Sequence, residues 1–253
     1  MLCIALLLSA AASLAQAEPV QQGGLRVTVQ GEIAPRTLPR EGVAPVAVDV
    51  RGRIENRKSS APPSLRRLEI AINRQGRLDY RGLPVCPLAR IQPATSQNAL
   101  AACRSSLVGQ GSFSADVAIP QQSPFPSRGK LLAFNGREHG KPVIFAHVYG
   151  TEPVPTSLTL PMRISTIRRG TFGTLLSTSL PRVTSKIAFV TGISLRLERR
   201  FRYRSEAHSY LAASCPAPRG FSSAVFPLLR ATFAFEGGRT LKSVLIRRCA
   251  VRG

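Results

Sequence analysis

The sequence predicts an all-β fold: an antiparallel β-sandwich or irregular barrel with one short helix at about residues 95–108 and disulfides. Three observations point there. Apolar and polar residues alternate with period two along most of the chain, as half-buried strands require. Proline and glycine, 20 of each, interrupt these runs at short intervals. Four cysteines remain after an apolar leader, an even number in a chain that reads as exported.

The leader is "MLCIALLLSAAASLAQAEPV". Residues 2–15 are almost all apolar, and Ala15-Gln16-Ala17 is a small-x-small site before Glu18. This layout predicts a signal peptide over 1–17, cleaved after Ala17, and hence a secreted or cell-envelope protein. The apolar run is short for a membrane span, which needs about 20 residues. No Lys or Arg precedes it, which fits the pattern poorly, and a retained N-terminal anchor is the alternative. Cys3 lacks a lipobox. Residues 18–253 read as a single β-rich domain with no further membrane span, and 18–55 as an N-terminal hairpin added to it.

The strands follow in order. "LRVTVQGEI" (25–33) and "PVAVDVRGRI" (45–54) alternate, and residues 56–64, "NRKSSAPPS", read as an exposed loop or linker. "LRRLEIAIN" (65–73) resumes the alternation. "KLLAF" (130–134) and "PVIFAHVY" (142–149) read as a hairpin whose longer connection opens at Asn135-Gly136. Further strands are expected in 157–166, 173–180 and 186–204, and two more in 228–251 around Glu236-Gly237-Gly238. The helix, "TSQNALAACRSSLVG" (95–109), has Thr95 or Ser96 as its N-cap and Gly109 as its stop, with Leu100, Cys103 and Leu107 on one face.

Cys86, Cys103, Cys215 and Cys249 allow three pairings, and the most local, Cys86–Cys103 with Cys215–Cys249, is favoured. Loops of this size predict a stabilisation of roughly 3 to 4 kcal/mol each. No C-x-x-C pair exists, so a zinc finger or ribbon is not expected.

The net charge is +22, from 35 basic and 13 acidic residues. Only 5 of the basic residues are Lys, a bias that GC-rich coding produces, but coding bias does not explain so few acids. The positive field belongs to the protein and attracts anions.

Little in the chain predicts catalysis. There are three histidines. His139 lies in a loop; His147 lies in a strand apolar on both faces and reads as a hydrogen-bonded core histidine; His208 follows an arginine run. No metal-ligand spacing, G-x-S-x-G, S-x-x-K set or phosphate-binding glycine loop occurs. Among Glu69, Asp79, Asp116, Glu152, Glu198 and Glu206 no carboxylate pair is favoured for glycoside hydrolysis, and tryptophan is absent. No catalytic residue, metal or cofactor is predicted. A hydrolase assembled from scattered Ser, His and carboxylates is the competing class.

The basic residues form two groups. One holds Arg51, Arg53, Arg57, Lys58, Arg66 and Arg67, with Glu55 the lone acid among them. The other is "LRLERRFRYR" (195–204), with Arg168 and Arg169 as additions. As a strand, the second stretch puts Leu195, Leu197, Phe201 and Tyr203 on one face and Arg196, Glu198, Arg200, Arg202 and Arg204 on the other, with Arg199 out of phase. The rings therefore face the core and are not platforms for bases. The expected site is a polyanion-binding one formed by Arg196, Arg200, Arg202, Arg204, Arg51, Arg53, Arg57 and Lys58. Its expected partner is an anionic polymer or surface, with no specific nucleic-acid sequence. A solvated charged face with no dedicated partner is the alternative, and the oligomeric state is left open.

"GLPVCP", the helix bearing Cys103, "LVGQGSFSADV", "KLLAFNG" and "YLAASCPAP" together resemble a group of exported, β-rich actinobacterial proteins with no assigned function. The resemblance covers most of residues 25–251 and implies an exported, disulfide-bonded β-protein. It carries no catalytic residue.

Overall fold

Residues 18–58, 62–119, 121–152, 155–181 and 188–252 are described by a computed structural model. The signal-peptide expectation for 1–17 and the middle of the 56–64 loop, residues 59–61, lie outside the described residues. The strands are β1 (Glu18–Gln22), β2 (Leu25–Ala34), β3 (Thr37–Leu38), β4 (Ala44–Pro45), β5 (Ala47–Asn56), β6 (Leu65–Asn73) and β7 (Gly76–Leu78). The helix α1 (Ser96–Cys103) follows, then β8 (Leu107–Val117), β9 (Phe125–Glu138), β10 (Lys141–Gly150), β11 (Thr156–Thr166) and β12 (Phe172–Ser179). The remainder is β13 (Ala188–Leu197), β14 (Arg200–Tyr203), β15 (Glu206–Ser209), β16 (Leu211–Ala213), β17 (Ser223–Phe235) and β18 (Thr240–Val251). Among the described residues no helix is long and apolar enough to cross a membrane.

Thirteen strands form one sheet in the order β1-β2-β5-β13-β8-β9-β10-β11-β12-β6-β17-β18-β3, curled into a half-barrel. All its neighbours are antiparallel except β18 and β3. β4-β16-β7 and β14-β15 make two small sheets. The curl follows from the alternation. In β2, Leu25, Val27, Val29 and Ile33 are buried while the residues between them are not. β18 repeats this with Leu241, Ser243, Leu245 and Cys249. The ends of the sheet meet where Arg247 Nε donates to the Gly31 carbonyl at 2.6 Å. Inside lies one large core, drawing on β2, β5, β6, β9–β13, β17 and β18. At Pro227 the pairing of β17 with β18 slips, so Leu228 and Leu229 are both buried. Proline, with no amide to give a ladder, is at home in such a bulge.

The other face of the sheet is covered over β9, β10 and the start of β11. There Leu132, Phe134, Val143 and Phe145 pack against Cys86, Ile91, Ala99 and Cys103 in a second core. Both expected disulfides are present, Cys86–Cys103 and Cys215–Cys249, and Cys86–Cys103 pins this cap. Asn135 completes it: its Nδ2 donates to the carbonyls of Leu83 and Pro84 at 3.4 and 3.0 Å, and its carbonyl accepts from the Cys86 N–H at 2.9 Å.

Three sequence expectations are corrected here. Asn135-Gly136 is not a turn but strand interior, because Asn135 straps the cap and a side chain at Gly136 would meet the Phe145 ring at 2.3 Å. The turn is His139-Gly140, with φ of 49° and 75°, as a two-residue hairpin requires. The helix, capped by the Thr95 hydroxyl accepting from the Asn98 N–H at 3.1 Å, ends at Cys103 and not near 108. Arg104–Ser106 form a 3-10 turn, and Leu107 enters β8, where pairing on both sides with β9 and β13 outweighs one more helical turn. Leu107 still reaches the small core, from a strand. The strand expected over 186–204 divides: β8 and β5 provide no partner beyond Leu197, so the chain leaves the sheet and makes its own β14–β15 hairpin. Residues 182–187 lie outside the described residues. Of the 56–64 loop, Arg57 and Lys58 are exposed, whereas Pro62 and Ser64 are buried.

His147 is fully buried beneath this cap. The Thr159 hydroxyl donates to the Ile91 carbonyl at 3.4 Å, which leaves its oxygen to accept from His147 Nδ1–H at 3.2 Å. His147 Nε2 has no partner among the described residues. Burial lowers the imidazole's pKa, against a smaller upward pull from the Ile91 carbonyl.

Two outcomes are expected. Replacing Cys86 and Cys103 by serine should cost roughly 3 kcal/mol in urea unfolding, with faster amide exchange confined to the cap. For His147, the unfolded chain takes up a proton near pH 6.5 that the folded chain resists. Stability should therefore fall as pH drops below about 6.5, and His147→Gln should flatten that slope between pH 7.5 and 5.5, read as the urea midpoint.

Candidate functional site

A strand shows every second side chain to the same face, and directly paired residues share a face. Along β5 the outward residues are Asp49, Arg51, Arg53 and Glu55. The register of β5 with β13, β13 with β8 and β8 with β9 lays two rows across the sheet. One row runs Arg51, Ser194, Ser112, Lys130; the other runs Arg53, Gly192, Ser114, Arg128. The four cations stand at the corners of a rectangle of about 14 by 7 Å, three strand intervals by one i to i+2 step. Arg51, Arg53, Arg128 and Lys130 are all exposed. Between them Ser112 Oγ and Ser194 Oγ lie 2.8 Å apart, and Thr191 Oγ1 donates to Ser114 Oγ at 3.1 Å.

Carboxylates flank this rectangle on both sides. Asp49 bonds Arg51 at 3.3 Å and Glu55 bonds Arg53 at 3.6 Å. Arg196 is in the next row, opposite Asp49, and is bridged by Glu198 at 2.7 Å; chiefly that hydrogen bond raises its pKa. On the far side Asp116 is desolvated, which raises its carboxyl pKa. A cavity of about 380 Å³ opens there, lined by Arg53, Ser114, Arg128, Thr191, Glu55 and Asp116 among others. The bridges Asp49–Arg51, Arg53–Glu55, Arg67–Glu69 and Arg196–Glu198 all join residues i and i+2 on one strand face. Exposed pairs of this kind contribute about 0 to 1 kcal/mol, so they hold the arginine side chains only weakly.

Of the predicted site residues, the fold brings Arg51, Arg53 and Arg196 onto one face. Arg57 and Lys58 follow at the exposed end of β5. Arg200, Arg202 and Arg204 stand elsewhere, on the β14–β15 hairpin. All three are exposed, as expected, while Phe201 and Tyr203 are half-buried. Arg204 lies in the hairpin turn with φ 51° and rests over the Tyr203 ring at 5.3 Å. Arg199, out of phase, turns back to donate to the Ser105 carbonyl at 3.4 Å. Sequence reading missed Arg128 and Lys130, because it began that strand at Lys130; their own period-two spacing was the available signal.

The inner side of the hairpin holds a second cluster. His208 stacks on Phe201 with ring centroids 5.4 Å apart, and Nδ1 lies 3.2 Å from Asp79 Oδ2. Its Nε2 faces Glu206 Oε2 at 3.8 Å. Burial pushes the Asp79 carboxyl up, but hydrogen bonds from the Arg81 amide, His208 and the Arg81 side chain outweigh it, and the net shift is downward. A histidine oriented by a carboxylate is two-thirds of a triad, yet the group at Nε2 is a carboxylate and not a nucleophilic hydroxyl. Among the described residues no three His, Cys, Asp or Glu side chains are placed to hold a metal ion.

Compared with known protein families, characterised proteins and solved structures, the chain matches none.

Because Asp79 ionises more readily in the folded chain, its contribution is present above the ordinary carboxylate pKa and is lost as pH falls through the lower folded value. Asp79→Asn should cost roughly 1 to 2 kcal/mol at pH 7, a difference that closes in strong acid, as read by urea unfolding across pH.

Proposed function

We propose that the protein is exported and acts without catalysis, binding an anionic polymer of the cell envelope or its surroundings through the outer face of β5, β13, β8 and β9. The observation that carries this reading is the in-register placement of exposed Arg51, Arg53, Arg128 and Lys130 around a floor of serine hydroxyls. Two disulfides agree with an oxidising compartment, as do the apolar leader and the resemblance to exported actinobacterial proteins. The face carries no aromatic platform between its cations, which favours phosphate or carboxylate contacts over base stacking. A hydrolase is the second reading, favoured by the Asp79–His208 contact alone. It requires a nucleophile that takes the place of Glu206 at Nε2, and it predicts ester or glycoside cleavage abolished by His208→Gln.

Salt-gradient elution from an immobilised anionic polymer tests the binding reading. The fourfold variant Arg51→Gln, Arg53→Gln, Arg128→Gln, Lys130→Gln should elute at lower salt. Its slope of log affinity against log salt should be shallower by about 3, at about 0.7–0.9 per lost phosphate contact. Arg200→Gln with Arg202→Gln should shift elution less. Co-elution of the fourfold variant with the wild type, or wild-type elution below physiological salt, would sink the reading.

A further inference from the structure

We propose that the four-cation rectangle is a bounded subsite for a compact run of two or three phosphate groups, lying across β13 and β8 between Arg51 and Arg53 on one side and Arg128 and Lys130 on the other. This rests on the binding reading above and names the unit of the polymer that is recognised.

The bounds come from charge. Moving along the strands in either direction from the two cationic rows, a chain meets carboxylates: Asp49 beside Arg196 on one side, Glu55 and Asp116 on the other. Moving across the strands it meets none between the paired cations. A polyanion is therefore held across β13 and β8 and repelled along them, and because uncharged Gln30 and Thr28 follow Arg51 and Arg53 on β2, and Tyr149 follows Lys130 on β10, its charged contacts end with the rectangle's long side, about 14 Å at three strand intervals. Arg and Lys side chains leaning inward from both ends shorten the open floor further.

The donors select the anion. Three guanidinium forks and one ammonium surround the floor, where the Ser114 hydroxyl and one hydroxyl of the Ser112–Ser194 pair keep a proton to give, so donors approach from the sides and from below. A tetrahedral phosphate presents three or more oxygens in different directions and uses such a set; a planar carboxylate is satisfied by one fork. The floor is low because Gly192 and three serines occupy it. Arg128 and Lys130 have no carboxylate partner among the described residues, and the Arg51 and Arg53 bridges, at 3.3 and 3.6 Å, are exposed and exchangeable.

Isothermal titration with orthophosphate, pyrophosphate, tripolyphosphate, long-chain polyphosphate and trigalacturonate tests the subsite. Affinity per site should rise from orthophosphate to tripolyphosphate and then level, with trigalacturonate weaker. Arg128→Gln and Arg53→Gln, both at exposed positions, should each weaken tripolyphosphate about tenfold, as expected for one charge-assisted contact. Ser112→Leu raises the floor without changing charge and should weaken tripolyphosphate while leaving elution from the anionic polymer column nearly unchanged. Affinity that climbs steadily with chain length, or tripolyphosphate binding that ignores Arg53→Gln and Arg128→Gln, would overturn the subsite and leave the polymer-binding reading standing. Failure of the wild type to bind any of these anions or the column would remove both.

Discussion

A sheet of thirteen strands has one apolar face to hide, and the molecule hides it by rolling that face inward until β18 meets β2. Everything else depends on this closure, because it assigns each side chain an inside or an outside by parity alone. Inward parity collects Val27, Val29, Leu195, Ala133, Ile144, Leu176, Phe233 and Leu245 into or against one core. Outward parity leaves a polar face, and a one-residue slip in any strand would exchange the two. The bulge at Pro227 shows how costly phase is: the slip there keeps both Leu228 and Leu229 buried.

The outer face is treated in two ways. Over β9 and β10 it is apolar and lies beneath a disulfide-pinned cap with its own core. Over β5, β13, β8 and the first half of β9 the two central rows are arginine, lysine, serine and glycine, with Asp49, Glu55 and Asp116 beside them. The covered part places under the cap a histidine whose pKa burial lowers, with one nitrogen bonded and the other without a partner among the described residues. The bare part concentrates cations in two rows and carboxylates around them. The same sheet thus carries an apolar area that seats the cap and a polar, cation-rich area, divided where Lys130 gives way to Leu132 along β9.

Charge composition alone would scatter an excess of +22 over the surface. Four of the 13 acidic residues, Asp49, Glu55, Glu69 and Glu198, are spent on i and i+2 bridges, which are weak and largely exposed. What distinguishes one part of the surface is therefore pairing: Arg51 and Arg53 against Lys130 and Arg128 across a floor of small residues. The arginines of "LRLERRFRYR", the densest cluster in the chain, are divided by the fold. Arg196 stays on the sheet tied to Glu198, and Arg200, Arg202 and Arg204 leave on a hairpin.

Alternation, turn residues and cysteine spacing by themselves determined that this is an all-β chain with a short helix, favoured the two local disulfides, and turned the rings of 195–204 inward and its arginines other than Arg199 outward. These are properties of neighbouring residues, since the parity of a strand is written within the strand. Where the helix stops, why Asn135-Gly136 is not a turn, why the strand breaks after Leu197, and which cations share a face were decided only by tertiary structure. Each depends on a partner distant in the chain: β9 beside Leu107 and β13 beside Gly109, the cap carbonyls at Asn135, the ends of β5 and β8 beside Leu197. Register between remote strands is set by how a whole apolar face is buried at once, and no local pattern encodes it.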